Sequence, residues 1–408
     1  MRIAFFVARF PLLSETFVIR QIAGLVAAGH DVAILAGRRG DAACPHDAYL
    51  RFDLESRIRL IRPADASGWQ WLGRAARCAL RALARPRWRP LHAALAAFMH
   101  GSRGSFGDIC WSACRGHLGT YDAIVAHFGP AGVRAMHLQR AGLLAGPLAV
   151  VFHGGDMSQR ARVRRHMRDY RRLFGHAAAL LPVSELWRRR LLEWGAPPER
   201  VEVLRMGVDL DRLPVMDPHR VLHSPLRVLT VARLVEKKGL GYALDGVMRA
   251  RLPVRYRIIG SGPQQPMLQD RARAAPPDKQ IVFCGRQSQQ QVFAALEEAD
   301  VFLLPSVTAA TGDMEGIPVA IMEAMAMGVL VVATSHSGIP ELITDQRSGW
   351  LVPERDADAI AAVLSSCALP TGQLAQMRRT ARAAVALQFD NAKLDLQLAA
   401  LCVRLRDR

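Results

Sequence analysis

Short runs of consecutive apolar residues, each closed by a turn and followed by a stretch of helical period, recur along the chain. Ile3–Ala8 ends at Phe10-Pro11, a helical stretch follows from Thr16 to Ala28, and Val32–Ala36 comes after Gly29-His30. Comparable runs stand at Ala123–Ala126, Leu148–Phe152 and Ala179–Pro182. The second half repeats the rhythm at Leu226–Ala232, Tyr256–Gly260, Ile281–Cys284, Val301–Pro305, Val329–Ala333 and Trp350–Val352. Continuous rather than alternating apolar runs predict parallel strands buried on both faces, with helices as the crossovers. The fold class is therefore α/β. Between the two series, Met206 to Leu226 is polar, holds Pro214, Pro218 and Pro225, and keeps no period, as a linker would. After Asp356 the pattern is helical to the end, interrupted at Pro370.

A chain of 408 residues exceeds what one hydrophobic core usually serves, in keeping with two strand–helix units. No run reaches a membrane span, since the longest candidate, Ile317 to Thr334, contains Glu323. The opening MRIAFFVARF is too short in apolar residues for a secretory signal and is expected to be a buried strand. Seven cysteines are scattered without a CxxC pair or a Cys/His cluster, which suits a reducing compartment and no metal centre. The net charge of +18 changes the picture because it is local: residues 1–208 carry 31 basic residues, all Arg, against 15 acidic, and the rest is nearly balanced. An anionic partner is implied for the first half.

Candidate chemistry lies at the ends of strands, where open α/β sheets bind ligands. Glu315 and Glu323 bracket Gly316, Ile317 and Pro318 in GDMEGIPVAIMEAMAMG; Pro318 suits a first helical turn, which puts Glu315 in the preceding loop and Glu323 on the second turn. Paired carboxylates accept hydrogen bonds from adjacent sugar hydroxyls, though a dipole-favouring Glu315 and a solvated Glu323 would leave the same spacing. Arg233 and Lys238 in VARLVEKKG follow another strand and together can neutralise a diphosphate, whereas either alone is an ordinary surface cation. Gly260 and Gly262 form a glycine turn after a third strand, and Gly285-Arg286 a fourth. Neither a dinucleotide fingerprint nor a P-loop is present.

These motifs, with IIGSGP, SGIPELI, PVSE, MGVD and the N-terminal FPLLSETFVIRQI, resemble the retaining glycosyltransferases of family 4, and among them the exopolysaccharide enzymes of the colanic acid and amylovoran type. The resemblance implies the GT-B fold: an acceptor-binding Rossmann-like domain over residues 1–208, a donor-binding one over 209–385, and a C-terminal helix, 386–408, packing back on the first. It implies that Glu323 holds the donor ribose, that Glu315 stands beside the transferred sugar with Gly316, Ile317 and Pro318, and that Arg233 and Lys238 clamp the diphosphate in place of a metal. The turn at Gly260 and Gly262 belongs with the donor. His153 falls where the family has a histidine near sugar and acceptor. Asp156 is expected to orient it, to meet an acceptor hydroxyl or to cap a helix near Ser158; His127 would line the cleft. Ser14, Glu15 and Thr16 occupy a loop that is glycine-rich in many relatives, and Glu15 would meet the acceptor. Asp209-Leu-Asp211 looks like a metal-binding DxD but, at the linker, is expected to cap or turn the chain.

The expected reaction is transfer of a hexose, galactose from a UDP-sugar being the specific case, to a lipid-diphosphate-linked oligosaccharide, with no cofactor or metal. Trp69 to Arg85 is amphipathic, with Arg74, Arg77, Arg81 and Arg85 on one side. With Arg160–Arg172 and Arg188–Arg190 it predicts either a helix on an anionic membrane surface or a solvated core helix. The expected location is peripheral, on the cytoplasmic face of the cell membrane. Two rivals are a nucleotide-sugar epimerase, which needs donor and no acceptor, and a nucleic-acid-binding protein, for which no recognised module appears.

Overall fold

The computed structural model describes residues 1–12, 15–41, 47–61, 103–367 and 370–407. Strands β1 (Arg2–Phe10), β2 (Asp31–Arg39), β3 (Ile58–Leu60), β4 (Ala123–His127), β5 (Leu148–Phe152) and β6 (Ala179–Pro182) form one parallel sheet in the order β3-β2-β1-β4-β5-β6. A second parallel sheet orders β12 (Trp350–Val352), β11 (Leu330–Thr334), β10 (Val301–Leu304), β7 (Leu226–Val231), β8 (Val254–Ile259) and β9 (Lys279–Gly285) as β12-β11-β10-β7-β8-β9. Each has the doubly wound Rossmann order, with a topological switch point between its first and fourth strands.

The apolar runs become strands because both faces of each sheet are covered. Ile3, Ala4, Phe5 and Phe6 are wholly buried, as are Ile124–Ala126, Ala149–Phe152 and Val301–Leu304. Strand β3 is the element that the run-length pattern misses: three residues at the sheet edge with Arg59 exposed in the middle. Helix Thr16–Ala27 buries Val18, Ile19, Ile22 and Leu25 on the first core. The segment Trp69–Arg85, with its arginine face, lies outside the described residues.

The chain crosses between the sheets twice, and the crossings are tied together. Val208 N–H donates to Phe389 O at 2.9 Å and Asn391 N–H donates to Val208 O at 3.0 Å. Helix Thr371–Gln388 starts directly after Pro370 and stays on the second core through Val385 and Phe389. Helix Asn391–Arg406 then packs back on the first, burying Leu398, Leu401, Cys402 and Leu405 there. Both sheets thus present the carboxyl ends of their strands to one interdomain cleft. No described helix is long and apolar enough to cross a membrane.

Candidate active site

His153 directly follows β5 and His127 ends β4. His127 Nδ1 lies 3.1 Å from His153 Nε2, and the residues His153 and His127 are 8% and 0% exposed respectively. Phe17 and Phe128 flank the His153 ring at centroid distances of 4.7 and 4.4 Å. Phe128 does so from a backbone φ of 72°, a conformation that costs a non-glycine residue roughly 1–3 kcal/mol. Burial holds the pKa of His127 down at about 3 and, with His127 beside it, that of His153 well below the ordinary imidazole value. Both rings are neutral in the folded protein.

Asp156 does not reach the imidazole or the cleft. Its Oδ1 accepts from the backbone N–H groups of His153 and Gly154, both at 3.1 Å, and its Oδ2 from Gly129 N–H at 2.9 Å. It pins the turns after β4 and β5 to each other, so it orients His153 through the backbone. It neither meets an acceptor hydroxyl nor caps a helix near Ser158; the helix Arg160–His176 has no side-chain cap. His127 is likewise behind the cleft rather than lining it, with no exposed surface.

Across the cleft, the loop after β10 carries Glu315 and Gly316 against His153 and Gly154. A Cβ on Gly154 would sit 2.8 Å from Glu315 C, and one on Gly316 would meet His153 O at 3.2 Å. Lys238 Nζ lies 3.2 Å from Glu315 Oε1, and Lys237 Nζ 3.8 Å from the same oxygen and 3.4 Å from Asp313 Oδ1. Burial opposes the charge of Glu315, but Lys238 and Lys237 outweigh it and hold its pKa below the ordinary carboxylate value. Burial lowers the pKa of Lys238, with Glu315 opposing. Behind the loop, His336 Nε2 accepts from Glu315 N–H at 3.2 Å while its Nδ1 faces Glu354 Oε1 at 2.5 Å. Ser337 donates to Glu315 O at 2.7 Å. Ile317 and Pro318 are buried; Pro318 stands just before the helix Val319–Met327 rather than in its first turn.

Glu323 lines a separate small cavity between the domains, together with Thr16, Phe17, Arg20, Asp209 and Phe293. Burial raises its pKa from 4.5 to about 7, with Arg20 opposing. Arg20 pairs with Asp209, whose carboxylate also accepts from Asn391. Asp209 therefore ties the linker to helix Thr16–Ala27, and its side chain caps nothing. Phe17 joins the two regions, touching the His153 ring and lining this cavity.

Arg233 is exposed with no ion-pair partner among the described residues, and it stands close enough to lower the pKa of Glu15. Glu15 itself is pushed up to about 7, by burial first, with Arg9 and Arg233 opposing. Ser14 lies outside the described residues. Gly260 and Gly262 are accounted for by their own chain: Cβ atoms there would meet Ala232 O at 1.8 Å and Leu234 O at 2.3 Å. They let the turn after β8 lie on the loop after β7, and Arg286 Nε donates to Ser261 Oγ at 2.7 Å on its outer side. Among the described residues no three His, Cys, Asp or Glu side chains converge as a metal site.

Lys237, His336 and Arg20 belong to this site and are absent from a reading by spacing. Lys237 and His336 sit inside the motifs VARLVEKKG and HSGIPELI, where position after a strand was the available signal. Arg20 follows Thr16 by four residues on one helix face, which places it beside the cleft once Thr16 is there.

Two family patterns match the chain: one described as Glycosyltransferase Family 4 over residues 14–212, and one described as Glycosyl transferases group 1 over residues 225–368. WcaL of Escherichia coli K12, named for a glycosyltransferase of colanic acid biosynthesis, is 40% identical over 98% of this chain and 99% of its own. The amylovoran biosynthesis glycosyltransferase AmsK of Erwinia amylovora is 38% identical over 99% of this chain and 100% of its own. Among solved structures, Anabaena Alr3699/HepE in complex with UDP and glucose superposes with a TM-score of 0.70 at 18% identity, covering 99% of this chain and 100% of that one. Sucrose-phosphate synthase from Thermosynechococcus elongatus gives a TM-score of 0.70 at 17% identity, covering 99% of each. The fold is GT-B, as the sequence resemblance implied.

Proposed function

The chain belongs to glycosyltransferase family 4, and from that premise we propose that it is a retaining hexosyltransferase, moving galactose from UDP-galactose to a lipid-diphosphate-linked oligosaccharide in exopolysaccharide synthesis. The observation that carries this reading is the meeting of the Glu315–Gly316 loop, backed by Lys237 and Lys238, with His153 across the interdomain cleft. Full-length relatives named for colanic acid and amylovoran synthesis support the polysaccharide context, and a fold neighbour solved with UDP-glucose supports a uridine donor.

In this reading the glycosidic C1–O bond to the diphosphate breaks and the acceptor oxygen bonds to C1 on the same face. The acceptor proton passes to the departing phosphate oxygen. Arg233, Lys237 and Lys238 supply the positive charge that this departure needs, which is the work a metal does elsewhere. Glu323 in its cavity takes the ribose hydroxyls. Lys238 must exchange part of its hold on Glu315 for the diphosphate, so Glu315 acts first as the counter-ion that keeps the clamp charged and in place.

The acceptor side is cationic. On helix Arg160–His176, residues Arg160, Arg162, Arg164, Arg165, Arg168 and Arg171 are exposed, and none has an ion-pair partner among the described residues. This face suits an anionic membrane surface and a diphosphate headgroup on the cytoplasmic side. By contrast Arg188 and Arg190 are paired on their own helix, to Glu185 at 3.6 Å and Glu193 at 3.4 Å.

The test is a donor screen by calorimetry with UDP-, GDP- and ADP-sugars in the presence of a chelator, followed by transfer of radiolabelled sugar to membrane lipid extracts. Binding of a UDP-sugar and a labelled lipid product are expected. Absence of binding by every nucleotide sugar refutes the proposal, and isomerised donor without acceptor would make the protein an epimerase.

A further inference from the structure

His127 Nε2 is buried and has no hydrogen-bond partner among the described residues, while His127 Nδ1 is engaged with His153 Nε2 at 3.1 Å. A neutral imidazole has one N–H and one bare nitrogen, so the shared hydrogen bond can be written in two ways. If His153 donates from Nε2, His127 must carry its proton on Nε2, leaving an N–H orphaned in the core. If His127 donates from Nδ1, its Nε2 is a bare lone pair. Orphaned buried N–H groups are rarer than under-satisfied acceptors, because the donor loses its only interaction. Turning the His127 ring over would put carbon Cδ2 where Nδ1 stands and lose the contact with His153; the ring stacks on Phe5 at 5.7 Å and is flanked by Phe17 at 6.4 Å.

We infer that His127 is a positioning residue that fixes His153 as the Nδ1–H tautomer, so that His153 meets the substrate as a neutral hydrogen-bond donor rather than as a base. The Nε2 lone pair of His153 is taken by His127, and its Nδ1 makes no hydrogen bond to a described residue. The ring is held by Phe17 and Phe128 on its flanks and by Asp156 on its backbone N–H at 3.1 Å. A donor in that place suits a lone pair on a sugar or acceptor oxygen. It cannot take the acceptor's proton, which leaves that task to the departing diphosphate. The inference rests on the cleft being the transfer site, and the tautomer is measurable without any substrate.

The experiment is two-dimensional ¹H–¹⁵N long-range correlation NMR on histidine-labelled full-length protein, with the His153 signals among the 13 histidines assigned from a His153→Asn variant. A protonated Nδ1 and bare Nε2 in His153 are expected; a proton on His153 Nε2 overturns the inference, whatever the transfer assays show. A second arm compares His127→Phe with His127→Asn, whose amide nitrogen takes the place of Nδ1. With UDP-galactose and membrane lipid extract, His127→Phe is expected to lower kcat about tenfold at unchanged donor KM, the worth of one lost hydrogen bond. His127→Asn should return to within about threefold of the parent. Equal loss in two folded variants overturns the inference, whereas a parent protein without transferase activity and with the expected tautomer refutes only the functional reading.

Discussion

Replacing Lys238 by Met tests the central charge arrangement. Lys238 and Glu315 are 13% and 10% exposed at 3.2 Å, with Lys237 at 3.8 Å as the second cation. At an effective dielectric of about 20 the two attractions are roughly 5 and 4 kcal/mol before desolvation is charged against them. Breaking a buried pair by removing one partner costs about 3–5 kcal/mol. Lys237 retains nearly half of the attraction here, so about 2–3 kcal/mol is the expected loss. For a domain of this size that is a fall in Tm of about 5–10 °C. Since Glu315 is held below its ordinary 4.5, its contribution is present above that pH and lost as pH falls through the folded value. The difference between Lys238→Met and the parent should therefore shrink in acid. UDP affinity by calorimetry should fall about tenfold to a hundredfold, the worth of a charged hydrogen bond. The double variant Lys238→Met/Glu315→Gln removes the uncompensated carboxylate, so it should regain most of the Tm and none of the UDP affinity. A double variant no more stable than Lys238→Met, or unchanged UDP binding in both, would refute the reasoning.

Two other outcomes follow from the interdomain contacts. Burial raises Glu323 from 4.5 to about 7, so the folded protein keeps a proton that the unfolded chain releases between those pH values, and stability declines across that window. Glu323→Gln should thus gain Tm relative to the parent as pH rises from about 5 to 7.5, while weakening UDP-sugar binding; a Tm difference independent of pH would show that Glu323 titrates normally. Gly154→Ala places a Cβ 2.8 Å from Glu315 C and 2.9 Å from Gly316 N, so the two loops must part. Turnover should drop more than tenfold with little loss of Tm, since small misplacement at reacting groups is costly; parental kinetics would mean that the loops are not apposed during turnover.

The fold is legible from the chain because both sheets are buried on two faces, so that Leu148–Phe152, Ala179–Pro182 and Trp350–Val352 coincide with strands to the residue. Strand β3 is not, since Ile58 and Leu60 bracket an exposed Arg59 in three residues, too short for any period. The motif residues His153, Glu315, Lys238 and Glu323 were legible as positions at strand ends and helix starts. What those positions do in the folded chain was not, because it depends on what faces them. Lys238 is tied to Glu315, Gly260 makes room for Ala232 O, and Asp156 turns to three backbone N–H groups. Arg20 on the first helix and Asp209 at the linker meet across nearly two hundred residues of sequence, and no periodicity encodes a pair so far apart in the chain.

The arginine excess of the first half divides into two kinds of charge. Arg134 is held by Asp108 at 2.5 Å, Arg205 by Glu341 at 2.7 Å, and Arg200 donates to Gly175 O at 2.9 Å and Ala177 O at 3.1 Å. Glu341 also accepts from Glu185 N–H and Leu186 N–H, both at 3.0 Å, so its pairing with Arg205 joins the second domain to the first. These arginines are structural, and their charge is answered within the protein. The helix Arg160–His176 is different: its exposed arginines have no ion-pair partner among the described residues, and it begins where Arg160 N–H donates to Thr311 O at 3.0 Å beside the Glu315 loop. Unanswered charge of one sign costs self-repulsion, which an anion at that surface relieves. The +18 is thus not spread evenly over the protein: part of it is answered by pairing inside the first domain and at its seam with the second, and part is left unpaired on one helix beside the cleft.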